Sequence, residues 1–124
     1  MLDPAGYAPQ EYYGQAFAAV TGIERSPAEL MQDGERICNL EKAINSRIGL
    51  RREHDTVCER WMWEPNNEGM YAGRVAADMF IPVLDEYYEW RGWERDSGLQ
   101  TRAKLTELGL EDVAEVLAAD GALA

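Results

Sequence analysis

The stretch SPAELMQDGERICNLEKAINSRIG, residues 26–49, decides the fold class, because it predicts one long helix with a well-marked start. Ser26 suits the N-cap and Pro27 suits the first helical position. Glu29 is placed to return a hydrogen bond to the cap, which completes a capping box. The helix is expected to run to about Arg47.

Glycine and proline elsewhere in the chain also predict helix boundaries. Glycine is common just after a helix ends, and proline interrupts a helix. Further helices are predicted over Pro9 to Thr21, in the short segment between Asp55 and Pro65, from near Asp78 to Gly92, over 102–108 and over 111–119. Pro82 is expected in the first turn of its helix. No stretch alternates as a strand does. The sequence therefore predicts an all-α fold, a compact multi-helix domain that forms a single domain over 1–124.

One face of the long helix is predicted to carry an apolar stripe. Leu30, Ile37, Ile44 and Ile48 recur there at helical spacing. Glu41 falls inside this apolar stripe. A carboxylate buried without a partner carries a large desolvation cost, so its position needs an explanation.

Two explanations for Glu41 stay open. Either a cation meets it in the core, or this face is an interface, to which Asn45 one turn further on would also belong. The candidate cations are Arg47, Arg51, Arg52 and Arg74. A structural ion pair that joins helices is favoured over a catalytic carboxylate.

The chain has two cysteines and one histidine, and all three lie in residues 34–60. Cys38, His54 and Cys58 are the alternative metal site, but none of them forms a ligand pair with the usual zinc spacing. Free cysteines are commonly small buried packing residues. The favoured prediction is that both cysteines pack in the interior and that the chain holds no metal.

The segment YYEWRGW, residues 87–93, concentrates aromatic side chains around an arginine. Trp90 and Trp93, which flank Arg91, could form a binding surface or a cation–π stack. More often such residues fill a core or a subunit interface, and that interpretation is favoured. The structural or interface candidates in this segment are Tyr87, Tyr88, Trp90, Arg91 and Trp93.

Composition limits the kinds of partner. The chain has 124 residues and a formal net charge of −11, which would repel phosphate backbones and anionic membranes. Nucleic acid and membranes are therefore not expected as partners. The start MLDPAGYAPQ has no signal-peptide pattern, and the apolar runs are too short to span a bilayer. The expected location is the cytoplasm, with reduced cysteines.

Four segments together resemble the C-terminal end of the aldehyde ferredoxin oxidoreductase family. They are YYGQAFAAVTG, GERICNLEKAINSRIGLRREHDTVCERW, LDEYYEWRGW and KLTELGLEDVAEVL, and the similarity spans about 9–117. The resemblance implies the helical domain of much longer tungsten or molybdenum pterin enzymes with a [4Fe-4S] cluster. Such enzymes oxidise aldehydes to carboxylates and pass electrons to ferredoxin, and some relatives serve in aromatic-ring reduction.

The residues that carry the resemblance are scaffold residues. They include Gly34, Glu35, Arg36, Asn39, Leu40, Glu41, Arg47, Gly49, Asp55, Asp85, Tyr87, Tyr88, Arg91, Gly92 and Trp93. Neither cysteine stands where the family carries a cluster ligand. The resemblance thus implies no catalytic or cofactor-binding residue in this chain, and assigns the pterin and the cluster to a partner or a full-length enzyme.

Two classes of function are compatible with this pattern. The chain is expected to complete a larger cofactor-bearing oxidoreductase subunit, and to be inactive towards aldehydes by itself. The exposed aromatic residues and the Glu41–Asn45 side would form its docking surface. The alternative is a free-standing helical protein-binding module, or a fragment without a role of its own. The expected partner is the cofactor-bearing subunit or a second copy of the chain.

Overall fold

The computed structural model describes residues 10–124, and the regular secondary structure in this range is helical. Its helices are α1 (Gln10–Thr21), α2 (Pro27–Arg47), α3 (Glu59–Trp63), α4 (Ala77–Arg91), α5 (Arg102–Glu107) and α6 (Glu111–Ala119), with 3₁₀ turns at Arg52–His54 and Gly69–Tyr71. The only β-type pairing within this range is an isolated bridge between Trp93 and Gln100. The all-α prediction is confirmed. No helix in the described range has the length and apolar character needed to cross a membrane.

The chain divides into two compact units, one ending at Glu41 and the other spanning Lys42–Ala124. The boundary falls inside α2, so this helix contributes residues to both units. The prediction of one domain over 1–124 stays a prediction.

The start of α2 has the predicted capping box. The Ser26 amide donates to the Glu29 carboxylate at 2.8 Å, and the Glu29 amide donates to the Ser26 hydroxyl oxygen at 3.3 Å. These reciprocal bonds satisfy amides that the first turn cannot pair internally. Accepting the Ser26 backbone and side-chain bonds lowers the pKa of Glu29 below its ordinary value. The helix ends at Arg47, as predicted.

Helix α1 makes a close approach to the segment that leads into α2. A Cβ atom on Gly14 would lie 2.5 Å from the carbonyl oxygen of Arg25, so only glycine fits there. The helix ends at Thr21, and Gly22 follows with a φ of 73°, as the predicted stop requires. The predicted first residue, Pro9, lies outside the described range.

The hydrophobic core of the Lys42–Ala124 unit is built on α5 and α6. Its buried members are Ala43, Leu105, Leu108, Leu110, Ala114, Leu117 and Ala122, with Val113 and Leu123 packed against them. Thr101 caps α5 by accepting a hydrogen bond from the Lys104 amide. Gly109 and Gly121 have positive φ angles and close α5 and α6, so both predicted helices are confirmed.

The position of Pro82 differs from the prediction. Helix α4 begins at Ala77, one residue earlier than expected, and Pro82 lies in its second turn rather than its first. Proline has no amide hydrogen, so it cannot donate to the carbonyl of Asp78. Gly92 ends the helix in the left-handed conformation, with a φ of 67°, as predicted.

The apolar stripe of α2 is not part of the core. Ile37, Ile44 and Ile48 are exposed, and Leu30 is only half-buried. The buried side chains of the helix are instead Asn39, Lys42, Ala43 and Ser46. Of the two explanations for Glu41, the one that places this face in the core is therefore contradicted, and the one that makes the face an interface stays a prediction. Apolar spacing identifies a face that favours burial, but it does not specify which part of a protein covers that face.

Candidate functional site

Two aromatic rings from the segment 87–93 lie at the centre of a cluster of charged side chains in the Lys42–Ala124 unit. Tyr88 is fully buried on α4, and Trp93 is buried just after the helix ends. Their ring centroids are 5.9 Å apart with a tilt of 52°. Of the two roles left open for this segment, these two residues have surroundings that suit the core.

Lys42, from the C-terminal part of α2, points its ammonium group at these rings. Its Nζ atom lies 5.0 Å from the centroid of Trp93 and 5.8 Å from that of Tyr88. Because the lysine is buried, cation–π attraction to the rings offsets part of its desolvation cost.

One carboxylate joins the lysine to the tyrosine. The Oδ2 atom of Asp55 lies 3.2 Å from Lys42 Nζ and also accepts a hydrogen bond from the Tyr88 hydroxyl. Burial of Tyr88 and its bond to Asp55 both favour the neutral phenol, so its pKa is raised far above the ordinary value. Tyr88 therefore acts as a hydrogen-bond donor at neutral pH, not as a general base.

Arginines extend the cluster on the other side of Tyr88. The guanidinium carbon of Arg52 lies 5.3 Å from the Tyr88 centroid, and the same group pairs with Asp85 on α4. Arg95 binds the second oxygen of Asp85 at 2.6 Å and reaches Glu89 at 3.0 Å. The hydrogen bonds from Arg95 and then Arg52 lower the pKa of Asp85.

The loop after α4 closes over this cluster. The Glu94 carboxylate accepts bonds from the Ser97 hydroxyl and amide and from the Asp96 amide, which lowers the pKa of Glu94. Gly98 has a φ of 70°, and a Cβ atom there would lie 2.9 Å from the Tyr88 hydroxyl oxygen. Glycine is needed at this position both for its conformation and for the space.

The arrangement favours a structural role over a catalytic one. Asp55 Oδ2 and both oxygens of Asp85 accept hydrogen bonds from lysine, tyrosine and arginine side chains, and both oxygens of Glu94 accept hydrogen bonds from Ser97 and Asp96. Together these bonds join the end of α2, the 3₁₀ turn and α4 to the loop 93–100. We refer to this set as the aromatic–ionic cluster: Lys42, Arg52, Asp55, Asp85, Tyr88, Trp93, Glu94 and Arg95.

The other half of the aromatic segment lies at the surface. Tyr87 and Trp90 are exposed, and the Arg91 guanidinium lies 5.1 Å and 4.7 Å from their respective ring centroids. A cation–π stack on Arg91 is therefore present, but it is made with Tyr87 and Trp90 rather than with Trp90 and Trp93, and the cation over Trp93 is Lys42. Of the five candidates, Tyr88 and Trp93 are thus buried, Tyr87 and Trp90 are exposed, and Arg91 is half-buried.

The remaining interface candidates are at the surface of α2. Glu41 and Asn45 are exposed, so the burial that motivated an ion pair for Glu41 is not found. Arg47 pairs with Asp120 at 2.7 Å, and both residues line a shallow pocket with Ile44 and Ile48.

The alternative metal site is not formed. Among residues 10–124, no group of three or more His, Cys, Asp or Glu side chains could hold a metal ion. Cys38 is half-buried, whereas Cys58 is exposed at the start of α3, so the prediction of a buried packing role is wrong for Cys58. The His54 Nδ1 atom instead accepts a hydrogen bond from the Arg51 amide at 3.1 Å.

The family model described as aldehyde ferredoxin oxidoreductase, domains 2 & 3, matches residues 4–110. The chain belongs to this family. The predicted resemblance is confirmed, with a range shifted slightly towards the N-terminus.

Relatives and a solved structure agree with this assignment. The tungsten-containing aldehyde ferredoxin oxidoreductases of Pyrococcus horikoshii and Thermococcus kodakarensis are 37% and 35% identical to the chain over 101 residues. These matches cover 81% of this chain but 16% of each relative. The active site complex BamBC of benzoyl coenzyme A reductase, solved with 1,5-dienoyl-CoA, has a TM-score of 0.76 at 26% identity. That match covers 94% of this chain and 16% of the solved chain.

The residues present do not fit the iron–sulfur cluster of the family. An iron–sulfur cluster requires several cysteine thiolates. The chain has two cysteines, and both are free: Cys38 lies within α2, and Cys58 is the N-cap residue of α3. Within the described range no other set of side chains replaces them. No step of the family's redox chemistry is assigned to this chain's side chains.

Sequence reasoning missed much of the aromatic–ionic cluster. Lys42, Arg95 and Glu94 were not candidates, and Arg52 was considered only as a partner for Glu41. Their partners are distant in sequence: Lys42 and Asp55 are separated by 13 positions, and Arg52 and Asp85 by 33. One feature of the sequence could have pointed to the cluster: four of its members lie in the family-like segments, namely Asp55, Asp85, Tyr88 and Trp93.

Proposed function

We propose that this chain is the C-terminal helical part of an aldehyde ferredoxin oxidoreductase-like enzyme and supports a cofactor-bearing part that lies outside it. The observation that carries the proposal is the family match over residues 4–110, combined with a coverage of 16% of the relatives' length. The cofactor-bearing part is either a further region of the same polypeptide or a separate subunit.

The role proposed for the chain is structural support. Asp55 and Asp85 bind the lysine, tyrosine and arginine side chains of the aromatic–ionic cluster, which suits a rigid scaffold. Meanwhile large apolar side chains stand exposed on α2 and α4, as expected for surfaces that another part of the enzyme covers. The tungsten or molybdenum pterin and the [4Fe-4S] cluster belong to that other part.

The proposed reaction is oxidation of an aldehyde to a carboxylate. Water supplies the added oxygen, and the electrons pass through the cofactor-bearing part to ferredoxin. Aldehyde oxidation is proposed ahead of aromatic-ring reduction because the aldehyde oxidoreductases are 35–37% identical to the chain, against 26% for the benzoyl coenzyme A reductase complex. The proposed location is the cytoplasm, where both free thiols would stay reduced.

The test is to recover the polypeptide that carries this sequence from its source cells with an affinity tag. Native mass spectrometry, metal analysis and an aldehyde-dependent dye-reduction assay are applied to the same sample. We expect an assembly much larger than the 14.0 kDa of this chain, with tungsten or molybdenum, iron and aldehyde oxidation. The recombinant 124-residue chain serves as the control and is expected to be inactive.

Two results would overturn the proposal. A metal-free species of 14.0 kDa, or a simple multiple of it, would indicate a free-standing helical module instead. Aldehyde turnover by the pure, metal-analysed 124-residue chain would place the chemistry in the chain itself.

A further inference from the structure

Four aromatic rings in the segment 87–93 contact one another in series. The centroids of Tyr88 and Trp93 are 5.9 Å apart, and Tyr87 lies 6.2 Å from Tyr88 and 5.8 Å from Trp93. Trp90 lies 6.5 Å from Tyr87. Separations of this size place aromatic rings in packing contact. We call these four residues the aromatic path.

The aromatic path runs from the interior of the Lys42–Ala124 unit to solvent. Tyr88 and Trp93 are buried, whereas Trp90 retains 67% of its accessible surface. Tyr87 joins Trp90 to the buried pair. Tryptophan and tyrosine are the aromatic side chains that give up one electron most readily. Because electron tunnelling falls exponentially with distance, rings in contact can pass a missing electron, or hole, along the path.

The buried end of the path is a costly place for a hole. Oxidised Tyr88 would have to give its phenolic proton to Asp55, which accepts its hydrogen bond. The buried Lys42 ammonium would then lose the charge of its counter-ion, and an uncompensated buried charge is strongly destabilising. Trp93 lies 5.0 Å from the same ammonium, whose repulsion of a radical cation is weakly screened in the interior.

The exposed end of the path avoids this cost. An oxidised indole is a strong acid, and Trp90 is exposed to the water that can take its proton. The radical that remains is neutral. The Arg91 guanidinium, 4.7 Å from the ring centroid, therefore does not repel it. A hole is consequently more stable on Trp90 than on Trp93 or Tyr88.

We propose that the aromatic path conducts holes from the interior to Trp90 and so protects the core of the Lys42–Ala124 unit from oxidative damage. A one-electron oxidant, of the class of radicals derived from dioxygen, takes one electron from Trp93. Tyr87 passes an electron to Trp93 and receives one from Trp90, with no net change in its own protonation. Trp90 releases its indole proton to water.

The cycle closes at the surface. A thiol in solution returns one electron and one proton to Trp90, and two of the resulting thiyl radicals combine to form a disulfide. This activity goes beyond the proposed function, and its test does not require the cofactor-bearing part.

The test generates a hole from a fixed position on the full 124-residue chain. A ruthenium photosensitiser is attached to Cys58, which is exposed and lies three positions after Asp55. Cys38→Ser leaves this one thiol for labelling. Trp61→Phe and Trp63→Phe remove the other exposed tryptophans, so that Trp90 and Trp93 remain.

Flash oxidation of the label by a quencher in solution creates the oxidant, and peptide mass spectrometry locates the oxidised residues. The labelled chain is kept dilute so that one molecule does not oxidise another. We expect several-fold more oxidation on Trp90 than on Trp93.

Three substitutions at exposed tyrosines test the route. Tyr87→Leu interrupts the path and should lower the oxidation of Trp90 several-fold while raising that of Trp93. Tyr87→Trp restores an oxidisable ring and should restore the oxidation of Trp90. Tyr71→Leu is the matched control, because Tyr71 is also exposed but lies outside the path, and it should leave the pattern unchanged. Circular dichroism checks that all three variants keep the fold.

Three results would overturn the proposal. Equal oxidation of Trp90 with and without Tyr87→Leu would show that the hole reaches Trp90 without the path. Oxidation that stays on Trp93 or Tyr88 would show that the hole is trapped inside, and oxidation confined to residues outside the path would show that the path does not conduct. None of these results depends on recovery of a larger metal-bearing assembly, so the proposed function can fail without this inference, and the reverse.

Discussion

Tyr87 and Tyr88 are adjacent in the chain but belong to two different surfaces of α4. Tyr88 is fully buried among Lys42, Asp55 and Trp93, whereas Tyr87 keeps 36% of its accessible surface and stacks with Arg91. The first surface holds the Lys42–Ala124 unit together, and the second remains available to a partner. Substitutions on the two surfaces should therefore affect different measurements.

The largest expected effect is on stability at the buried surface. Tyr88→Ala removes a fully buried ring and leaves Asp55 without its phenol donor, which should lower the free energy of unfolding by about 3–5 kcal/mol. Tyr87→Ala should lower it by less than about 1 kcal/mol. Urea denaturation followed by circular dichroism measures both values. Equal losses in the two variants would contradict the division of α4 into a structural and a free surface.

A smaller effect is expected where the loop 93–100 closes on the buried surface. Gly98→Ala introduces a positive-φ alanine and a Cβ atom 2.9 Å from the Tyr88 hydroxyl oxygen, which together should cost about 2–4 kcal/mol. Gly121→Ala is the matched control, because its φ is +64° and its Cβ would meet nothing within 4 Å.

The control should therefore cost only the backbone strain, about 1–2 kcal/mol. Thermal and urea denaturation of the two variants gives the difference, which measures how tightly the loop packs on Tyr88. A cost for Gly98→Ala no larger than that for Gly121→Ala would show that the loop yields without disturbing the cluster.

The smallest effect is a pH dependence of stability from Asp85. Hydrogen bonds from Arg95 and then Arg52 lower its pKa below the ordinary 3.8, so the unfolded chain takes up the proton first as the pH falls. The stabilisation is fully present above pH 3.8 and is lost as the pH falls through the lower folded-state pKa. Asp85→Asn should flatten the acid side of the stability curve in urea denaturations at a series of pH values.

Arg95→Ala provides the control for this effect. With Arg95 removed, Asp85→Asn should change the acid side less than it does in the unsubstituted chain, because one of the two guanidinium partners is already absent. If the two substitutions were fully additive, the shift would not arise from that pair.

The helix boundaries were predictable because the interactions that set them are local. The capping box of Ser26 and Glu29 joins residues three apart, and Gly22 and Gly92 end their helices through their own backbone conformations. Pro82 was the exception. Its helix begins early enough to place it in the second turn, and no residue near Ala77 provides a side-chain cap to mark that start.

The candidate site was predictable only in part, because its contacts join distant positions. Tyr88 and Trp93 were candidates for a core or a subunit interface because of their aromatic character. Lys42 was not, since nothing in its local sequence distinguishes it from a solvated lysine. Its burial depends on Asp55, which reaches it from the segment after α2.

The sequence by itself determined the helical fold, most helix ends and the family. Helix caps and turns depend on residues a few positions apart, and the order of the family-like segments can be read directly from the sequence. Only the tertiary structure decided which apolar faces are buried. Two sets of residues have the spacing of core residues and are nevertheless exposed: Ile37, Ile44 and Ile48 on α2, and Met79, Val83, Tyr87 and Trp90 on α4. The physical reason is that the hydrophobic effect is non-directional. Apolar spacing therefore identifies a face that favours burial, but it does not specify which part of the protein packs against that face.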